Sequence, residues 1–200
     1  MMQELKIFDK YSTEGITVAD PGLLKYISLV PRIVPRSGAR YAGNRFHKSK
    51  VSIVERLINK LMVPGHKGKK HQKSSGHVTG KVHNAYRIVQ DTFSLIEQRT
   101  KKNPVEVYVQ ALVNAAPREE ILTIEYGGAR YPKAVDCAPQ RRIDITLRLM
   151  VQGAYAKSFN KKKPIAEALA DEIIAAYELS SHSLALSKKN EMERQADSSR

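Results

Sequence analysis

The residues best suited to chemistry in this chain are cations, and they are crowded into one window. From Arg32 to Lys73 the sequence holds twelve lysines and arginines and a single acid, Glu55, so +11 of the formal net charge of +14 lies there. Lysine and arginine donate charge-assisted hydrogen bonds to phosphate oxygens, whereas an ordinary solvated surface mixes both signs. The window therefore favours nucleic acid or an anionic membrane surface as the partner over a small neutral substrate.

Residues 31–50 form the first part of this window and have the composition of an extended arm. Their cations are separated by Pro, Gly and Ser, with Tyr41 and Phe46 interleaved, and no amphipathic period is visible. Because such a segment buries little apolar surface by itself, we predict a flexible basic N-terminal arm that becomes ordered on RNA, with a disordered linker as the alternative. The predicted RNA-binding residues of the arm are Arg32, Arg36, Arg40, Arg45, Lys48 and Lys50.

A second basic stretch follows Met62, where Gly, His and Lys predominate and no core can form. We predict a basic loop whose RNA-binding residues are Lys67, Lys69, Lys70 and Lys73. The segment from Gly76 to Val82 resembles a phosphate-binding loop, but it has three residues between its glycines instead of four and ends in valine instead of Ser or Thr. Three histidines lack the spacing and the cysteine partners of a structural zinc site, so phosphate contact or solvation is favoured for His66, His71 and His77.

A third group of cations surrounds a predicted β-hairpin at about residues 119–138. Two short apolar runs flank Gly127-Gly128, and a tight hairpin turn requires the positive φ values that glycine supplies. Pro132 cannot donate to a strand ladder, which indicates an exposed two-stranded ribbon. The predicted RNA-binding residues at its root and tip are Arg118, Arg130, Lys133, Arg141 and Arg142. The alternative is an ordinary surface hairpin with scattered charge.

These cations need a scaffold, and helical patterns supply it. Asn103-Pro104 is a helix-start signal for a helix that ends near Pro117, and apolar residues recur at helical spacing elsewhere. The other helical segments are 50–63, 82–99, 140–157, 164–179 and 182–200. Their polar faces add the predicted RNA-binding residues Arg56, Arg148, Lys188 and Arg194.

The fold class predicted from these elements is mainly α. We expect a helical bundle with a protruding two-stranded β-hairpin and a flexible basic N-terminal arm. Residues 1–49 are predicted to form the N-terminal extension and arm, and residues 50–200 the helical RNA-binding domain.

Residues for catalysis are not grouped in the sequence. Cys137 is the single cysteine, and no base with an orienting group lies near it in sequence. The acids Glu119, Glu120 and Glu125 cluster among arginines, so ion pairs explain them more simply than a metal-dependent nuclease does. We predict no catalytic residue, no metal site and no cofactor. The lack of a signal-peptide core, of a membrane-spanning run and of paired cysteines predicts a soluble protein in a reducing, intracellular compartment.

Four segments of the sequence, taken in order, resemble the universal small-subunit ribosomal protein seven family. They are YAGNRFHKSKVSIVERLINKLM from Tyr41, NPVEVYVQALVNAAPREE from Asn103, GGARYPKAVDCAPQRRID from Gly127, and the closing KKNEMERQADSSR. The basic insertion after Met62 and the closing run are similar to the archaeal and eukaryotic branch of that family. Residues 1–40 are the part least similar to it.

This resemblance implies a structural constituent of the small ribosomal subunit in the cytoplasm, without enzymatic activity. It implies binding to the 3′ major domain of the small-subunit rRNA and initiation of head assembly. It also implies that the hairpin lies near the exit tRNA site and the mRNA path, beside neighbouring proteins of the head and platform. No membrane partner is expected.

The residues leave two other functions as alternatives. A DNA-binding protein or general RNA chaperone could use the helix at 140–157 as a recognition helix through Arg141 and Arg148, but no short helix-turn-helix pair precedes it. A nuclease or other nucleic-acid enzyme lacks a catalytic constellation.

Overall fold

The computed structural model describes residues 5–40, 42–67, 70–71 and 80–200. Helices predominate, and two small antiparallel ribbons accompany them. In chain order the elements are α1 (Pro21–Leu24), a 3₁₀ turn (His47–Lys50), α2 (Ile53–Leu61), β1 (His66–Lys67), β2 (Lys70–His71), α3 (Val82–Thr100), α4 (Pro104–Ala115), β3 (Glu119–Tyr126), β4 (Ala129–Asp136), α5 (Pro139–Ser158), α6 (Ile165–Tyr177) and α7 (Leu184–Asp197). The predicted fold class is confirmed.

The alanine-rich helix α6 lies at the centre of the bundle and contacts α3, α4 and α5. Half of its buried residues are alanines, Ala168, Ala170 and Ala176, whose small side chains let neighbouring helices approach closely. Larger residues fill the space around it: Phe93 of α3 and Tyr108 of α4 are fully buried, with ring centroids 5.9 Å apart. Most of the core therefore consists of helix faces, as the apolar periodicity predicted.

Two helix predictions are confirmed with their local causes. The side chain of Asn103 accepts a hydrogen bond from the Val105 amide at 3.0 Å, and Pro104 occupies the first turn of α4. In α5 the predicted apolar stripe is buried: Ile143, Leu147, Met150 and Ala154. The opposite face of α5 is consequently left for polar contacts.

The hairpin also forms as predicted. Glu119 pairs with Asp136 at the root and Tyr126 with Ala129 at the tip. Gly127 and Gly128 form the turn with φ values of 57° and 81°, which glycine adopts without the steric cost of a Cβ. The root contacts α7, whereas the tip side chains are exposed, so the ribbon protrudes from the bundle.

The segment before the arm packs more deeply than its sequence indicates. Ile7, Phe8 and Leu23 belong to the main core, and the Phe8 ring lies edge-on to Tyr86 and Phe93 at centroid distances of 5.0 and 5.9 Å. The predicted boundary between residues 49 and 50 stays a prediction, but this earlier segment shares the core of the helices.

The first long helix starts later than predicted. The pattern at 50–63 becomes a 3₁₀ turn followed by α2 from Ile53, because Ser52 is extended and bridges to Ser28, whose carbonyl accepts from the Ile53 amide at 3.0 Å. After α2, the predicted basic loop contains the short β1–β2 ribbon. Two predicted RNA-binding residues, Lys69 and Lys73, lie outside the described residues, as do the side chains of Lys67 and Lys70.

Candidate nucleic-acid interface

A cavity of about 830 Å³ opens between the basic arm, α2 and α5. We call it the cationic cavity, because six cations and only two carboxylates line it within the described part of the chain. The cations are Arg36, Lys48, Arg56, Lys60, Arg141 and Arg148, and the carboxylates are Glu55 and Asp144. The structure thus brings together five of the predicted RNA-binding residues, and adds Lys60.

Helix geometry places the cations of α5 at this cavity. Arg141, Asp144 and Arg148 are spaced by three and four residues and therefore share one face of the helix. The opposite stripe is buried in the bundle, so this face lies toward the arm and α2. On α2, Lys60 follows Arg56 by four residues and lies on the same side for the same reason.

Part of this positive charge is uncompensated. No carboxylate of the described residues forms an ion pair with Arg36, Lys60 or Arg148. Burial, and then the charge of Arg148, lower the pKa of Lys60. The charge of Asp144 opposes this lowering. A phosphate entering the cavity would add further negative charge beside Lys60 and Arg148 and would oppose it more strongly.

Arg56 is placed differently from its neighbours. Its guanidinium donates to Asp144 Oδ1 at 3.0 Å and to the Tyr26 carbonyl at 3.2 Å, and only 6% of its side chain is exposed. Asp144 also pairs with Lys48 at 3.1 Å. Arg56 therefore orients Asp144 from inside the fold, and its predicted contact with RNA stays a prediction.

At the hairpin root, Arg141 and Arg142 have separate partners. Arg141 forms two hydrogen bonds to Glu120, at 2.5 and 2.6 Å, which lower the pKa of Glu120 and raise that of Arg141. Arg142 is largely buried and donates to Asp20 at 2.7 Å and to the Pro117 carbonyl at 3.0 Å. Arg141 is still half exposed, whereas Arg142 holds the root to the segment that precedes α1.

Other predicted residues lie at the surface away from the cavity. Arg130 is 3.7 Å from Glu125 at the hairpin tip, where Lys133 is exposed, and Lys188 pairs with Glu191 in α7 at 2.5 Å. The remaining exposed cations are Arg40, Arg45, Lys50, Arg118 and Arg194, and Arg32 is half-buried. RNA contact by these residues stays a prediction, whereas five predicted residues converge at the cationic cavity.

Two residues of the cavity are absent from the predicted RNA-binding set. Lys60 is one of them, although its spacing of four residues from Arg56 in a predicted helix is a usable signal. Glu55 is the other, and the sequence marks it only as the single acid of the basic window. The pattern Ser52-Ile53-Val54-Glu55 has the form of a capping box. This pattern identifies Ser52 and Glu55 as candidate hydrogen-bonding residues.

The thiol of Cys137 is a potential nucleophile among the described residues. Cys137 is buried, and burial together with the Glu120 charge raises the pKa of its thiol to about 12, so the thiolate required of a nucleophile is not formed at neutral pH. Residues 5–40, 42–67, 70–71 and 80–200 contain no group of three His, Cys, Asp or Glu side chains that could hold a metal ion. None of their helices is both long and apolar enough to cross a membrane.

Comparison with known proteins gives a consistent answer. Residues 25–200 match the family model described as Ribosomal protein S7p/S5e. The small ribosomal subunit protein uS7 of Nanoarchaeum equitans is 54% identical over 197 residues, which cover 98% of this chain and 100% of that protein. The small ribosomal subunit protein uS7 of Archaeoglobus fulgidus is 48% identical over 198 residues, covering 99% and 96%. The similarity thus begins well before Tyr41, the first residue of the four segments that resemble the family in sequence.

Proposed function

This chain belongs to the ribosomal protein S7p/S5e family, and from that membership we propose that it binds the 3′ major domain of small-subunit rRNA and initiates assembly of the head. It is a protein of the small subunit of the cytoplasmic ribosome, of the archaeal type. Its role in the particle is structural, without catalysis.

The observation that carries this proposal is the uncompensated charge of the cationic cavity. Lys60 and Arg148 face one opening, and neither of them forms an ion pair with a carboxylate of the described residues. Phosphate contacts of this kind fix the register of a protein on RNA without reading its sequence. The arm that borders the cavity adds further exposed cations, including Arg40 and Arg45.

The hairpin is proposed to extend toward the exit tRNA site and the mRNA path, beside neighbouring proteins of the head and platform. Its tip bears exposed apolar and cationic side chains on a two-stranded ribbon. Its root is fixed to the body by Arg142 and by the Arg118 amide, which donates to Glu193 at 2.9 Å. A ribbon anchored at its root and free at its tip suits contacts outside the main RNA-binding surface.

A direct test is the binding of this chain to transcripts of separate rRNA domains. We expect specific binding to the 3′ major domain, and only salt-sensitive, nonspecific binding to a 5′ domain transcript of equal length. Sedimentation of the native protein with small subunits through a salt wash provides the cellular counterpart. Equal affinity for both transcripts, or loss of the protein from small subunits in the wash, would exclude the proposed function.

A further inference from the structure

Glu55 is the single acid between Arg32 and Lys73, and it is 3% exposed. It lies in the first turn of α2, three residues after Ser52, as in a capping box. The structure does not form that box, because the Ser52 hydroxyl has no partner among the described residues. Glu55 instead reaches the arm, where its Oε1 accepts from the Ser37 amide at 2.7 Å and from the Ser37 hydroxyl at 2.6 Å.

The second oxygen of this carboxylate is the unusual one. Oε2 of Glu55 is buried and has no hydrogen-bond partner among the described residues. Glu55 also lines the cationic cavity. The adjacent guanidinium, that of Arg56, is committed to Asp144 and Tyr26. A buried acceptor without a donor is energetically unfavourable, so Oε2 can accept a hydrogen bond from a ligand that enters the cavity.

The chemistry of RNA supplies donors that match this acceptor. The Watson–Crick edge of guanine has two adjacent donors, N1–H and N2–H, which suit the two oxygens of one carboxylate. Adenine and cytosine present a single amino group at that edge, and uracil a single N–H. Proteins read RNA sequence largely from unstacked bases in single strands and bulges, and a cavity of about 830 Å³ is within the size range of small-ligand sites.

We propose that the cationic cavity takes one unstacked guanine nucleotide, with its base edge on Glu55 and its phosphate between Lys60 and Arg148. This inference rests on the proposed RNA-binding function and adds a base-specific contact to it. Glu55, the single acid of the basic window, is the specificity-determining group of the site. The surrounding cations supply affinity without distinguishing one base from another.

Ser37 holds the place of the base in the free protein. Its two donors both go to Oε1, so guanine must displace the arm to use both carboxylate oxygens. The next residues form a tight bend, with φ of 63° at Gly38 and 61° at Ala39. A left-handed conformation is unfavourable for alanine, so opening this bend relieves local strain. The arm thus closes over the carboxylate until a nucleotide replaces Ser37.

The test is a titration of the full chain with guanosine, inosine and adenosine 5′-monophosphates. The Ser37 amide resonance reports the site, and calorimetry gives each Kd. We expect guanosine monophosphate to bind about tenfold or more tightly than adenosine monophosphate, with inosine monophosphate between them because it lacks the N2 amine. The Ser37 amide should shift with guanosine monophosphate. Equal affinity for the three probes, or an unmoved Ser37 amide, would overturn the guanine site.

Two variants with a matched control separate the site from general effects. Glu55→Gln should reduce the preference for guanosine monophosphate to less than about twofold and leave the adenosine affinity unchanged. Glu106→Gln makes the same change in the first turn of α4 at an exposed position, and should keep the preference. Ser37→Ala removes one competing donor and keeps Glu55, so guanosine monophosphate should bind several-fold more tightly. Unchanged or weaker binding by Ser37→Ala would contradict the displacement.

Failure of this inference is distinguishable from failure of the proposed function. A chain that binds the 3′ major domain transcript but has no preference for guanosine monophosphate lacks the guanine site only. A chain that does not bind the transcript specifically lacks the proposed function.

Discussion

Two cavities of this molecule differ in how their charges are balanced. The cavity between α3 and α6, about 570 Å³, is lined by two cations, Arg99 and Lys102, and by two carboxylates, Asp171 and Glu178. Arg99 and the nearby Lys163 both pair with Asp171. The cationic cavity has six cations for two carboxylates. We therefore expect a polyanion to bind where cations lack carboxylate partners, and not simply where cations are present.

The largest loss of stability is expected on removal of a buried carboxylate whose charge is fully paired. Glu172 of α6 is completely buried, pairs with Lys157 at 2.6 Å, and accepts from Ser183 Oγ at 2.8 Å and the Ala185 amide at 3.1 Å. Glu172→Ala should lower the free energy of unfolding by about 3 to 5 kcal/mol in urea titrations, since it leaves these groups unpaired. Glu178→Ala, at an exposed position just after α6, is the control and should cost less than about 0.5 kcal/mol. An equal loss in both variants would contradict the role of Glu172.

The next largest effect is a loss of affinity for RNA, and we expect it only when cations of the cationic cavity are removed. Lys60→Ala with Arg148→Ala should weaken binding to the 3′ major domain transcript by about 2 to 4 kcal/mol, roughly 30- to 700-fold, because each side chain contributes a charge-assisted contact. The control is the double variant Arg99→Ala with Lys163→Ala, which removes the same charge from cations that are paired with Asp171 near the cavity between α3 and α6. It should change the affinity for the transcript by less than about threefold. Similar losses in the two double variants would mean that only net charge matters.

A smaller loss of stability is expected when the ion pair between Arg142 and Asp20 at the hairpin root is removed, and this loss depends on pH. Burial raises the pKa of Asp20, but hydrogen bonds from Arg142 and the Gly22 amide, with the Arg142 charge, outweigh it and bring the pKa below its usual range. A lowered folded-state pKa contributes stability that is present above the unfolded value of about 3.9 and is lost as the pH falls through the folded value. Arg142→Gln should therefore cost about 1 to 3 kcal/mol of unfolding free energy at pH 7, and less below pH 4. A difference from wild type that stays constant from pH 7 to pH 3 would contradict this linkage.

The smallest effect on the body should come from the hairpin tip. Deleting Gly127 to Pro132 should change the free energy of unfolding by less than about 1 kcal/mol, because the tip side chains are exposed and a lone ribbon adds little core. Incorporation into small subunits should persist, with the defect appearing in translation. Loss of incorporation by this deletion, with normal incorporation of an Arg141→Ala, Arg142→Ala double variant, would reverse the proposed roles of tip and root.

The elements that could be predicted from sequence are those specified locally. The Gly127-Gly128 turn between apolar runs, the Asn103 cap and the apolar stripe of α5 each depend on residues close in sequence, so the hairpin, α4 and α5 were predicted correctly. Their ends were less certain: α2 starts at Ile53 because Ser52 pairs with a strand-like segment that no local pattern announces.

The features that could not be predicted depend on contacts between distant segments. Phe8 belongs to the core because α3 supplies Tyr86 and Phe93. The spacing of Arg56 indicated a polar face, but its burial follows from Asp144 and the Tyr26 carbonyl. Glu55 was visible as a lone acid, but its contact with Ser37 requires the arm to fold back over α2. Hence the sequence identifies the candidate cations by residue type. It does not show which of them form ion pairs in the folded protein.

The most direct test of uncompensated charge as the basis of RNA binding is the salt dependence of affinity. If roughly six to ten phosphate contacts form, log K against log salt concentration for the 3′ major domain transcript should have a slope of about −4 to −9. The Lys60→Ala, Arg148→Ala variant should reduce the magnitude of that slope by about 1.4 to 1.8, and the Arg99→Ala, Lys163→Ala variant should leave it unchanged. A wild-type slope shallower than about −2, or equal slopes for wild type and the Lys60→Ala, Arg148→Ala variant, would contradict the account.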